Sequence, residues 1–124
     1  MTRIIVAGGR DFDDYEYLCK ELDGILDQID GDKEIVSGTA KGADSLGTRY
    51  GKEHGIPVKE FKPNWRQYGR AAGIIRNQEM LDYASEETPL VVAFWDGQSK
   101  GTHDMIRKAT HSHAELKVFR YGGE

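Results

Sequence analysis

Apolar residues arrive along this chain in short bursts, and their spacing alternates between two kinds. Ile4-Ile5-Val6-Ala7 is a β-branched run that stops at Gly8-Gly9, the pattern of a buried strand running into a turn. Over residues 13–29 the apolar side chains fall at Leu18, Leu22, Ile25, Leu26 and Ile29, one stripe of a helix. Asp11 or Asp13 stands where a cap belongs, and Gly31 follows as a stop. A second strand reads over residues 34–37, ending at Gly38, and a second helix over residues 42–54, with Gly55 behind it. Ala43, Gly47 and Gly51 repeat every four residues, a small-residue face that lets this helix lie close to a sheet.

Residues 57–61 alternate as a more exposed third strand. A loop rich in Pro, Asn, Trp, Tyr and Gly leads into a third helix over residues 70–84. Leu90 to Trp95 is apolar on both faces, as a strand inside a parallel sheet must be. A fourth helix over residues 102–112 and a last strand over residues 116–119 complete the chain. The alternation predicts an α/β fold: one Rossmann-like domain spanning residues 1–124, its parallel five-stranded sheet in the order 3-2-1-4-5, with helices on both faces.

Composition narrows the class. Of 124 residues, 38% are hydrophobic and 31% charged, which suits a soluble globular chain with one core. The longest apolar run is too short to cross a bilayer, so no membrane association is expected. Cys19 is the single cysteine; with no internal disulfide to form, the expected setting is a reducing cytoplasm, and its helical position suits a packed side chain. The net charge of −4 argues against a protein that coats duplex DNA. Acidic residues crowd the first third, whereas Lys62, Arg66, Arg70 and Arg76 form a stretch without an acid. That stretch reads either as a solvated basic loop or as a local anion site.

In an open parallel sheet, ligands bind beyond the carboxyl ends of the strands. The unusual residues gather there after four strands in turn: Gly8-Gly9-Arg10-Asp11-Phe12, residues 37–44 (Ser37-Gly38-Thr39-Ala40-Lys41-Gly42-Ala43-Asp44), residues 63–70, and residues 96–102 (Asp96-Gly97-Gln98-Ser99-Lys100-Gly101-Thr102). Three of these are glycine-rich turns opening a helix, where the backbone approaches a ligand closely and free N–H groups attract anions. Hydroxyls of Ser37, Thr39, Ser99 and Thr102 stand ready to add hydrogen bonds to phosphate. None of the turns is a Walker loop or a GxGxxG fingerprint, which excludes an ordinary triphosphatase or NAD dehydrogenase.

Together these loops, with Arg76-Asn77 and Met80, resemble the SLOG superfamily, and within it the YspA and YpsA-related branch of small proteins of bacteria and their phages. The resemblance implies a Rossmann-like fold that binds nucleotides or nucleotide-derived ligands. Two relatives point in different directions. Lonely Guy enzymes hydrolyse the N-glycosidic bond of nucleoside monophosphates; Arg76 matches their arginine, Asn77 replaces their lysine, and Gly97, Gly101 and Thr102 match their glycine loop. Their catalytic glutamate falls on Met105, which has no acid–base chemistry, so a hydrolase or transferase would need Asp104, Asp11 or Asp44 instead. The DNA-processing protein A family binds single-stranded DNA, and its Ser-Gly-x-Ala-x-Gly-x-Asp motif is similar to residues 37–44. Trp65, Tyr68, Arg66 and Arg70 suit such a strand, and equally suit a nucleobase and phosphate in a closed pocket.

The expectation is therefore a binding protein or sensor for a nucleotide or nucleotide-sugar. Its ligand would be met by Gly8, Gly9, Arg10, Ser37, Gly38, Thr39, Lys41, Gly42, Trp65, Tyr68, Arg70, Arg76, Asn77, Gly97, Ser99, Lys100, Gly101 and Thr102. Turnover is left open. Asp11 and Asp44 read either as helix caps or as groups for ribose hydroxyls. His54, His103, His111 and His113 lack metal-ligand spacing, so neither a metal nor a cofactor is expected. Single-stranded DNA is the alternative partner, and the resemblance leaves room for a homo-oligomer paired near Trp65.

Overall fold

The structure, a computed structural model, describes residues 1–122. Five strands, β1 (Thr2–Gly8), β2 (Lys33–Ser37), β3 (Val58–Glu60), β4 (Thr88–Trp95) and β5 (Glu115–Arg120), form one all-parallel sheet in the order β3-β2-β1-β4-β5. This is the topology that the alternation of patterns predicts. β1 lies at the centre, with Ile4 opposite Ile35 on one side and Leu90 on the other.

Side chains of a strand alternate between faces, so β1 feeds two cores. Ile4 and Val6 pack with Ile35, Leu90, Val92 and Phe94 beneath α1 (Tyr15–Leu26) and α2 (Ala43–Glu53), which contribute Leu18, Leu22, Leu26 and Tyr50. Ile5 and Ala7 pack with Val36 and Val91 on the other face. There α4 (Ala72–Ala84) brings Met80, Leu81 and Ala84, and α5 (Lys100–Thr110) brings Met105 and Ala109. The small-residue face of α2 has its expected use: a Cβ at Gly47 would come within 2.8 Å of Val6, and one at Gly51 within 2.6 Å of Val58.

Three local readings change. Asp14, not Asp11 or Asp13, caps α1 by accepting from the Tyr17 amide at 3.0 Å, and the helix closes at Leu26. The stretch read as a loop holds a one-turn helix, α3 (Trp65–Tyr68), capped by Asn64. A 3₁₀ turn at Gly69–Ala71 follows, so Arg70 precedes α4 rather than starting it. No helix among the described residues is long and apolar enough to cross a membrane.

Candidate functional site

The carboxyl ends of β1, β2 and β4 close on one another because their glycines allow it. A Cβ at Gly8 would meet the Ala43 side chain at 2.6 Å and crowd the Phe94 carbonyl. Gly42 holds φ of 78° and carries the start of α2 against the backbone of Gly9 and Arg10. The Gly9 carbonyl then accepts from the amides of Ala43 at 3.2 Å and Phe12 at 3.3 Å, locking the first loop onto the second helix. Gly38 makes room for two charged groups at once: Nη1 of Arg76 and Oδ2 of Asp44 each lie 2.8 Å from where its Cβ would stand. Much of the glycine content of these loops is thus explained by packing of loop on loop.

Above this junction lies a cleft of about 590 Å³. Its floor is apolar, formed by Ala7, Met80 and Met105. Met105, at the position where Lonely Guy enzymes carry glutamate, is fully buried in the core beneath. Arg10, Arg70, Arg76 and Lys100 bring four cationic side chains to the walls, and Trp65 and Ile74 stand at the rim, each about half exposed.

The loop after β4 is closed internally. Oδ1 of Asp96 accepts from the amides of Gln98 and Ser99, both at 2.8 Å, and these bonds hold its carboxyl below the usual aspartate range. Ser99 caps α5, its Oγ accepting from the Thr102 amide at 3.4 Å and lying 3.1 Å from Oγ1 of Thr102. The amides of Lys100 and Gly101, the first two of α5, have no hydrogen-bond partner among the described residues. They sit where a helix terminus carries its partial positive charge.

The loop after β2 is tied down as well, in part by the first loop. Its Thr39 amide is taken by Ser37 Oγ at 3.2 Å, its Ala40 amide by Asp44 Oδ2 at 3.2 Å, and the Ala43 amide by Gly9. Ser37 and Gly38 lie beneath the cleft wall, while Thr39 and Lys41 face a second depression on the outer side of α2. Neither Tyr68 nor Gly97 lines the cleft; Gly97, at φ of 86°, lets the guanidinium of Arg120 pack close.

Each candidate carboxylate has a distinct setting. Asp104 accepts from Lys108 Nζ at 2.7 and 2.9 Å and from Asn77 Nδ2 at 3.0 Å, a neutralised group that fastens α5 to α4. Asp11 accepts from the Tyr121 hydroxyl at 2.6 Å, an arrangement in which burial and the carboxylate push the phenol up. Asp44 is only 5% exposed, and burial raises its pKa to about 6 despite the Ala40 amide and the nearby charges of Arg76 and Arg10. It does not cap α2. Arg76 donates to the Gly38 carbonyl and, through Nε, to Asn77 Oδ1 at 3.1 Å; burial lowers the pKa of its guanidinium.

A sequence model of the YspA, cpYpsA-related SLOG family matches residues 2–68, more than half of the chain. The protein belongs to that family. The matched segment runs from β1 through α3 and so carries the first two glycine loops, Asp44 and Trp65; α4 and the loop before α5 lie beyond it. The SLOG chain is also similar to the Gene 61 protein of Mycobacterium phage D29, 28% identical over 127 residues that cover 98% of each sequence. No solved structure matches it.

Sequence reasoning missed Ile74 on the cleft wall, which reads as an ordinary helix residue, and Tyr121, whose hydroxyl holds Asp11. The alternating pattern around Val118 gave no sign that the chain beyond β5 returns to the first loop.

Proposed function

We propose that the cleft binds a phosphorylated, nucleotide-derived ligand, with its phosphate at the start of α5 and its base against Trp65. The observation that carries this reading is the pair of unpartnered amides at Lys100 and Gly101, set among four cationic side chains over an apolar floor. An anion there gains charge-assisted hydrogen bonds from amides already fixed in place, and the helix terminus adds its field. Lys100, Arg10 and Arg70 are exposed and free to fold over a phosphate, whereas Arg76 contributes as a fixed charge deeper in the wall. The loop after β2 offers less, since Ser37 and Gly38 are buried beneath the wall and Thr39 and Lys41 face the outer depression. Family membership supports the ligand class.

A thermal-shift and calorimetry screen of the full chain against nucleoside monophosphates, ADP-ribose, cyclic nucleotides and short single-stranded DNA tests the reading. Binding of a small nucleotide, weakened at least tenfold by Lys100→Glu, is the expected result. Binding of DNA alone, or a Lys100→Glu protein that binds as well as the parent, would overturn it. Chromatography of the same mixtures for released base separates a binding protein from a hydrolase.

A further inference from the structure

Asp44 is the most deeply buried carboxylate on the cleft wall, and only half of it is used. Oδ2 accepts from the Ala40 amide at 3.2 Å. Oδ1 accepts no hydrogen bond among the described residues, yet no fully buried side-chain polar atom among them lacks a partner. Oδ1 is therefore reached from the cleft that Asp44 lines. The charges facing it are Arg76 from α4 and Arg10 from the first loop, and neither forms an ion pair with it among the described residues.

A half-satisfied carboxylate in a desolvated wall attracts an O–H or N–H donor and repels a second anion. A phosphate dianion brings no such donor to Asp44, and the amides at the start of α5 offer it donors instead. The order of strands then fixes a sequence of chemistries along the sheet edge: Trp65 after β3, Asp44 after β2, the first loop after β1, and the α5 amides after β4. From β2 to β4 is two strand spacings, about 10 Å. That span suits a phosphate at one end and a sugar hydroxyl at the other, each with its hydrogen-bond length to the wall. The group of a nucleotide that lies between base and phosphate and bears hydroxyl donors is the sugar.

Resting on the nucleotide reading above, we propose that Oδ1 of Asp44 accepts a hydroxyl of the ligand's ribose, so that the cleft selects ribonucleotides over their deoxy counterparts. Asp44 is then a specificity-determining residue, and the protein a reader of intact ribose.

Calorimetry with nucleoside 5′-monophosphates, each in ribose, 2′-deoxy and 3′-deoxy form, tests this on the full chain at pH 7.5. The ribose form should bind at least tenfold more tightly than one or both deoxy forms. Asp44→Ala should lower affinity for the ribose form to that of the weaker deoxy form and leave the latter unchanged. Equal affinities for all three sugars in the parent protein would overturn the inference, as would an Asp44→Ala protein that keeps the discrimination. Should that variant fail to fold, the comparison of sugars in the parent protein decides alone. Tight but sugar-indifferent binding would sink this inference and leave the nucleotide reading standing; no nucleotide binding at all would sink both.

Discussion

Asn77 joins two helices through one side-chain amide: its Nδ2 donates to Oδ2 of Asp104 at 3.0 Å and to the carbonyl of Gly101 at 3.2 Å. The residue is buried, so truncation leaves an acceptor of α5 without its partner. Asn77→Ala should cost about 1–3 kcal/mol, read as a lowered urea midpoint at unchanged slope. A midpoint within error of the parent would show that Lys108 alone suffices to hold Asp104.

Gly42 and Gly31 make a matched pair for backbone strain. Both have positive φ, 78° and 85°, but only Gly42 faces other backbone; nothing lies within 4 Å of a Cβ at Gly31. Gly31→Ala should cost about 1–2 kcal/mol, the price of the left-handed conformation alone. Gly42→Ala should cost clearly more, because the first loop must also move. Equal losses in urea unfolding would contradict the interlocking of the two loops.

Asp44 links stability to pH. Its pKa in the folded state is raised to about 6, against about 4 for an exposed aspartate. The folded state therefore binds the proton more tightly than the unfolded chain, and stability declines as pH rises from about 4 to about 6. Asp44→Asn removes this dependence, so the variant should gain on the parent by roughly 2–3 kcal/mol across that window and hold the gain above it. Parallel stability–pH curves for the two proteins would show that the carboxyl titrates normally.

Trp65 is half exposed, and its ring tip lies 3.7 Å from where a Gly73 Cβ would stand, so the structure gives it little to stabilise. Trp65→Ala should change stability by less than about 1 kcal/mol. If a base stacks on the ring, the same change should weaken nucleotide binding by about 1–3 kcal/mol, roughly 5- to 150-fold. An unaltered dissociation constant would remove Trp65 from the site.

The sheet was legible because β1, β2 and β4 are buried on both faces and their β-branched runs admit no other reading. The site was legible in outline, since glycine and hydroxyl residues after strands mark where a backbone must turn sharply. What could not be read was the division of labour among the loops. The sequence of residues 37–44 resembles a ligand cradle as closely as residues 96–102 do, yet Ser37 and Gly38 are buried, Thr39 and Lys41 face away from the cleft, and Gly38 shelters Arg76 and Asp44. Which amides remain free depends on contacts between segments far apart in the chain, such as the Gly9 carbonyl with the Ala43 amide. Asp44 was similarly ambiguous: a cap and a buried acid have the same letter at the same place in a helix.

The turn closed by Asp96 has a kinetic meaning. Both of its amide bonds and the Ser99 cap are made by the loop's own side chains, so if a phosphate is received by the α5 amides, the chain itself has aligned them. Association should then be a single step whose observed rate climbs in proportion to ligand concentration, with no plateau from a preceding rearrangement. Selectivity in such a protein would reside in how long each ligand stays.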